Sequence, residues 1–195
     1  MKRRMRRTVT KTLLEILDKD TYFLTADVGF GVLEPLQKKM KDNFINVGVA
    51  EQSMIGIASG LALSGKKVFT YTMCSFYLRA LEQIKLDLCY QDVPVTMIGC
   101  GTQFDYEELG TTHFALEDEV IMNALYNIDV YTPKTKGELV KLLKEEPKRP
   151  RYIRIGRFDK NNDFEIDKKQ LKKYPKEGGK LNYFKNKYGS RKNSK

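Results

Sequence analysis

The sequence predicts an α/β fold, a mostly parallel sheet with helices on both faces. Three observations carry this expectation. Short apolar runs, some rich in β-branched and aromatic residues, alternate with stretches of helical period over about 150 residues. KVFTYTMC is β-branched and aromatic and VPVTMIGCG is apolar almost throughout, as strands covered on both faces are. Glycines recur just beyond the strands, where a chain must turn.

In chain order, Thr8 or Thr10 is expected to cap a first helix carrying Leu13, Leu14, Ile16 and Leu17 on one face. YFLTAD (22–27) reads as a strand running into a turn that holds Gly29 and Gly31, and Pro35 stands near the start of the next helix. NFINVG (43–48) is a second short strand. AEQSMIGIASGLALSG (50–65) is a helix whose small residues permit close packing, with Gly65 as its C-terminal stop. KVFTYTMC (67–74) is a strand. FYLRALEQIKLDLCYQ (76–91) is a helix with Leu78, Leu81, Ile84 and Leu88 on one side, Tyr77 being a further candidate for it. VPVTMIGCG (93–101) is a buried strand, followed by the loop TQFDYEELGTTH and a helix over about 116–125. A strand at 129–133, a helix at 135–146 and a last strand, RYIRIGR (151–157), complete the pattern. Such folds bind ligands beyond the carboxyl ends of their strands. That rule selects 27–30, 48–51, 74–79, 99–113 and the end of the last strand.

The chain has 195 residues and a formal net charge of +10, with 41% hydrophobic and 31% charged residues. These proportions are globular, and no apolar run approaches the length of a membrane helix. No apolar segment follows the basic start MKRRMRRTVTK, so a secretory signal is not expected and the cytoplasm is. A net positive charge invites a nucleic-acid reading, but its distribution argues otherwise. Residues 1–11 carry six basic and no acidic side chains, and residues 160–195 carry twelve basic and four acidic ones. The body between them is therefore slightly acidic. The expected organisation is a basic N-terminal extension (1–11), one domain (12–158) and a basic tail (159–195) without sustained period. Cys74, Cys89 and Cys100 form no CxxC pair and read as small buried hydrophobes in a reducing compartment.

There is no GxxxxGK[ST] loop, HExxH, GxSxG or GxGxxG, and the single histidine excludes His-rich metal sites. Glu51 stands out because it falls where FINVGVA turns into a small-residue helix. Among Val47, Val49, Ala50, Met54 and Ile55, burial should raise its carboxyl pKa and suit it to share a proton with a bound heterocycle. Its plainer reading is a helix-N-terminal acid favoured by the helix dipole. Phe76, Tyr77 and Arg79 open the helix beyond another strand, where an aromatic can stack on a flat ring and a guanidinium can present a planar fork. Simple packing is the plainer account of all three. His113 lies in the loop GTTHF at the same edge, as a candidate site residue or as a structural histidine.

Taken together, these segments resemble the pyrimidine-binding domain of transketolase-like, thiamine-diphosphate-dependent enzymes. FLTADVG looks like the family's opening strand. FINVGVAEQSMIGIASGLALSGKKVFTYTMCSFYLRALEQIKLDLCY is similar throughout to its central signature, and MIGCG, LGTTHFALEDEVIM, IDVYTP and RYIRIGR follow in the family's order. The resemblance runs from about Lys11 to Phe158. It implies that Glu51 hydrogen-bonds the aminopyrimidine nitrogen of thiamine diphosphate, favouring the imino tautomer that deprotonates the thiazolium carbon. It further implies that Phe76 stacks on the pyrimidine, that Arg79 supports the pocket, and that His113 faces substrate oxygens. Arg154 falls where a substrate-phosphate arginine is often found, Arg157 being the other candidate.

Three departures qualify that resemblance. Nothing here matches the GDG…N motif that binds magnesium and the diphosphate, so thiamine diphosphate would be shared with a partner subunit that carries magnesium, in a hetero-oligomer, and no residue of this chain is expected to ligate metal. The family's usual C-terminal domain is not expected beyond the body, where the basic tail begins in place of the linker to it. Leu109, in EELGTTH, stands where many long-chain transketolases have an acid, which puts the standard pentose phosphates in doubt. The expected function is the transfer of a two-carbon ketol unit between phosphorylated or nucleotide-linked sugars by a split transketolase-like enzyme. The alternatives are a 1-deoxyxylulose-5-phosphate synthase-like or 2-oxo acid dehydrogenase beta-type subunit, or a catalytically silent scaffold that binds nucleic acid through basic ends.

Overall fold

The computed structural model describes residues 5–157. The chain divides into two units, Met1–Asp159 and Lys160–Lys195, and the described residues lie in the first. The basic tail read from the sequence lies outside the described residues.

Six strands form one sheet in the order β2-β1-β3-β4-β6-β5. They are β1 (Thr21–Thr25), β2 (Phe44–Asn46), β3 (Lys67–Met73), β4 (Val95–Cys100), β5 (Asp129–Tyr131) and β6 (Arg151–Ile155). Every pairing is parallel, with Thr25 opposite Tyr71 and Gly99 opposite Arg154 marking the register. β4 and β6 are buried at every position, and β3 at all but its first. Two apolar cores account for this. On one face Leu13, Leu36, Leu139 and Leu143 from α1 (Met5–Ile16), α2 (Glu34–Met40) and α7 (Lys136–Lys144) pack with Phe23, Phe69 and Ile98. On the other, Met54, Ile55 and Ala58 of α3 (Glu51–Leu63) join Ile84 and Leu88 over Leu24, Val68 and Met97. The predicted fold class therefore holds. No helix among the described residues is long and apolar enough to cross a membrane.

Two helices depart from their predicted form. α1 begins at Met5, with Thr8 and Thr10 inside it, because Met5, Val9 and Leu13 at four-residue spacing bury against the sheet. The buried Thr10 hydroxyl donates to the Val32 carbonyl at 2.9 Å instead of capping a helix end. Residues 5–11 of the predicted basic extension are thus part of the body. The helix after β3 is a succession of short turns: α4 (Cys74–Tyr77), a 3₁₀ turn (Leu78–Ala80), α5 (Leu81–Gln83) and a π-helical segment (Ile84–Tyr90). Such irregular winding re-aims side chains at the start of a helix, and the strand's carboxyl end is where that matters. The predicted 116–125 helix is shorter, α6 (Asp118–Ala124).

Candidate functional site

Because the sheet is parallel throughout, the loops after β1, β2, β3 and β4 all leave at one edge. That edge gathers Glu51, Phe76, Arg79 and His113, which are far apart in sequence.

Glu51 is the first residue of α3, reached from β2 through Gly48, whose positive φ of 72° turns the chain. Asn46 fixes this turn, its Oδ1 accepting the amides of Asp27 and Gly48 at 2.9 and 3.0 Å. The Glu51 side chain is fully buried. Arg79 Nη1 donates to its Oε2 at 2.6 Å, while Oε1 has no hydrogen-bond partner. A buried carboxylate oxygen left bare is costly unless a donor arrives from outside the chain. The arginine is half exposed, so the pair sits at the surface end of the pocket, not within the core.

The other residues continue from this pair. The Arg79 guanidinium carbon lies 5.3 Å from the Phe76 ring centroid, a cation–π distance. Phe76 is half-buried and meets His113 edge-on, ring centroids 5.2 Å apart and planes at 66°. The Thr112 hydroxyl lies 2.9 Å from His113 Nδ1, and when it donates there the imidazole proton belongs on Nε2. Partial burial lowers the His113 pKa, against a smaller opposing pull from Glu108, so the ring is neutral at pH 7. An aromatic face, a buried acid with an open oxygen and a neutral imidazole thus adjoin one another. This set fits an aminopyrimidine: the face for its ring, Oε1 for a protonated ring nitrogen, the imidazole for oxygens of a second molecule.

Two residues that the sequence pattern does not single out belong to the same edge. Tyr106 lies beside His113, centroids 6.2 Å apart, with its ring packed on Gly101. A Cβ at Gly101 would collide with Tyr106 Cε2, and Gly101 has a φ of 81°, so glycine is required twice over. Arg6 of α1 reaches the Tyr106 hydroxyl at 3.3 Å, and the Arg157 guanidinium covers the tyrosine ring at 4.5 Å. No local pattern marks Arg6, whose cluster of arginines reads as a charged extension. An aromatic a few residues beyond a glycine-bearing strand end is the available signal for Tyr106.

Arg154 is held within the chain. Its side chain is 4% exposed and faces the interior, with Nε and Nη2 forked on the Asp118 carboxylate at 2.7 and 2.8 Å and Nη1 on Glu119 at 2.5 Å. All three nitrogens are engaged within the chain. Arg157 is the more exposed of the two, carrying Glu108 and the Asp105 carbonyl. Leu109 is exposed at the end of the 3₁₀ turn Glu107–Leu109, before the His113 loop closes. Among the described residues, no group of three or more His, Cys, Asp and Glu side chains is arranged to hold a metal ion.

Comparison with known proteins agrees with this fold. The transketolase pyrimidine-binding domain family matches residues 2–160. The chain is 38% identical over 173 residues to an apulose-4-phosphate transketolase subunit of Phocaeicola vulgatus, covering 83% of this chain and 55% of that protein. It is 32% identical over 181 residues to a 6-deoxy-6-sulfo-D-fructose transketolase subunit of a Clostridium species, covering 86% and 56%. Among solved structures, a split-gene transketolase described as an inactive β4 tetramer superimposes with a TM-score of 0.68 at 28% identity, covering 86% of this chain and 56% of that one. The chain thus spans about half the length of the relatives it matches. With a family match over most of its length and the fold to go with it, the chain belongs to the transketolase family, as a pyrimidine-binding domain.

Proposed function

We propose that this chain is the pyrimidine-binding half of a split transketolase, active only with a partner subunit that carries the diphosphate-binding domain and its magnesium. The reaction is transfer of a two-carbon ketol unit between sugars, phosphorylated or similarly anionic. Thiamine diphosphate, when bound between the two subunits, supplies the nucleophilic carbon for this chemistry. The observation that carries the reading is the Glu51 carboxylate, buried, with Arg79 on one oxygen and nothing on the other. Two of the matched relatives are named as transketolase subunits, which supports the split arrangement.

In this reading each residue has one task. Glu51 Oε1 accepts a hydrogen bond from a protonated ring nitrogen of the pyrimidine. Arg79 keeps the buried carboxylate charge-balanced. Phe76 orients the ring by stacking. His113, neutral, offers Nε2–H to the carbonyl or hydroxyl oxygens of the sugar. Arg157, flanked by Arg6 across the Tyr106 ring, takes the anionic end of the substrate in place of Arg154. Three free, buried cysteines suit a reducing cytoplasm.

The test is reconstitution of the chain with a co-encoded subunit bearing the diphosphate domain. Turnover that requires thiamine diphosphate, uses ketose donors without releasing carbon dioxide, and disappears with Glu51→Ala supports the reading. Cofactor-independent turnover, or full turnover of the Glu51→Ala variant, overturns it.

A further inference from the structure

The loop that carries His113 is gripped from one side of the sheet at both of its legs, by β6 and the two residues beyond it. At the first leg, the Arg157 amide donates to Asp105 Oδ2 at 2.8 Å, and its guanidinium donates to the Asp105 carbonyl at 3.2 Å. Asp105 Oδ2 also accepts the Thr102 amide at 3.0 Å, which folds the loop's opening turn. At the second leg, Arg154 forks onto Asp118 and reaches the Ala115 carbonyl with Nη2 at 3.3 Å, while the Tyr152 hydroxyl donates to Asp118 Oδ2 at 2.8 Å. The legs are joined by reciprocal backbone bonds between Gln103 and Ala115, at 2.9 and 3.0 Å. His113 is two residues from that junction.

We infer that Arg154 is a positioning residue: through Asp118 and the Ala115 carbonyl it sets where the His113 imidazole lies against Phe76 and Tyr106. The inference rests on the substrate-facing role proposed for His113. Asp118 is fully buried and Arg154 nearly so, and such pairs specify geometry more than they stabilise, since desolvation offsets most of their attraction. The planar fork is what does this; a lysine in its place keeps the charge but holds only one point. Glu119 extends the grip, joining Arg154 Nη1 to the Thr132 hydroxyl beyond β5.

The chain has a single histidine, so its imidazole gives one resolved signal in a proton NMR titration of the full chain. The groups facing it are the Phe76 and Tyr106 rings, the Thr112 hydroxyl and the Glu108 carboxylate. Two variants separate positioning from folding. Arg154→Lys keeps a buried cation beside Asp118, and the paired Arg154→Met, Asp118→Asn change removes both charges together. With native far-UV circular dichroism, both are expected to move the His113 midpoint upward, toward the ordinary imidazole value of about 6.5. Both should also speed amide exchange across residues 102–117 roughly tenfold while leaving β3 protected. A folded variant of either kind with unchanged midpoint and unchanged loop exchange overturns the inference. Full turnover of a His113→Asn variant in the reconstituted enzyme would instead overturn the role proposed for His113 and leave the NMR result standing.

Discussion

Arg79 binds one oxygen of the buried Glu51 carboxylate and leaves the other bare. The two partners differ sharply in exposure, 49% for the arginine side chain and 0% for the glutamate. That asymmetry makes them unequal under mutation. Glu51→Gln frees a guanidinium that water can solvate, and the change should cost under about 1 kcal/mol. Arg79→Met strands a buried carboxylate. Breaking fully buried pairs costs ~3–5 kcal/mol, and discounting for the solvated arginine leaves roughly 2. Urea unfolding of the two single variants checks the order. Equal losses, or a larger one for Glu51→Gln, would contradict the assignment.

In the proposed function Phe76 is the stacking surface, and on that reading its removal should act on cofactor binding more than on the fold. Phe76→Ala is expected to raise the thiamine diphosphate concentration for half-activation by about three- to tenfold, the scale of one aromatic contact. Phe76→Tyr should recover most of this. Titration of the reconstituted enzyme with cofactor, at saturating sugar, measures it. An unchanged half-activation concentration places the ring elsewhere.

Much of the sheet could be read in the sequence because its strands are short apolar runs between glycines, and burial on both faces of β3 and β4 leaves few other ways to place KVFTYTM and VTMIGC. The edge was legible for the same reason, since parallel strands put every βα loop on one side. Side-chain direction was less legible. In RYIRI all five residues are buried, so the alternation that would normally send an arginine to solvent has no outside to point to, and Arg154 turns to Asp118. The helix after β3 kept its apolar period but not its winding. Tyr77, a candidate for the apolar side, is fully buried, but the partner of its hydroxyl, Thr70 Oγ1 of β3 at 2.8 Å, is one that local spacing does not encode. Arg6 was not legible because its target, Tyr106, is a hundred residues away.

The His113 pKa is lowered, chiefly by burial, which fixes the sign of its pH dependence. The unfolded imidazole takes its proton near pH 6.5, and the folded one only at lower pH. Between those two values the unfolded state binds more protons, so stability falls as pH drops through this window and is unaffected above it. Turnover that needs neutral His113 should hold from pH 8 down to about 6.5 and decline further into acid. A His113→Gln variant should lose the part of the stability loss that falls between those two imidazole values. Thermal unfolding against pH, wild type beside the variant, distinguishes this from protonation of carboxylates, which both share.

Gly101 provides the final test because two independent constraints meet there. Its φ of 81° disfavours any side chain, and a Cβ would collide with the Tyr106 ring. Left-handed strain alone costs about 1–2 kcal/mol for alanine. Displacing a packed ring adds overpacking of ~1–3 kcal/mol. Gly101→Ala alone should therefore lose more than about 2 kcal/mol. In a Tyr106→Ala background the collision is gone and only the backbone strain remains, so the same glycine change should cost about half as much. The difference between the two is a coupling energy between Gly101 and Tyr106, read from a double-mutant cycle in urea. A coupling near zero would mean that the ring does not rest on the end of β4, and the route from Arg6 through Tyr106 to His113 would go with it.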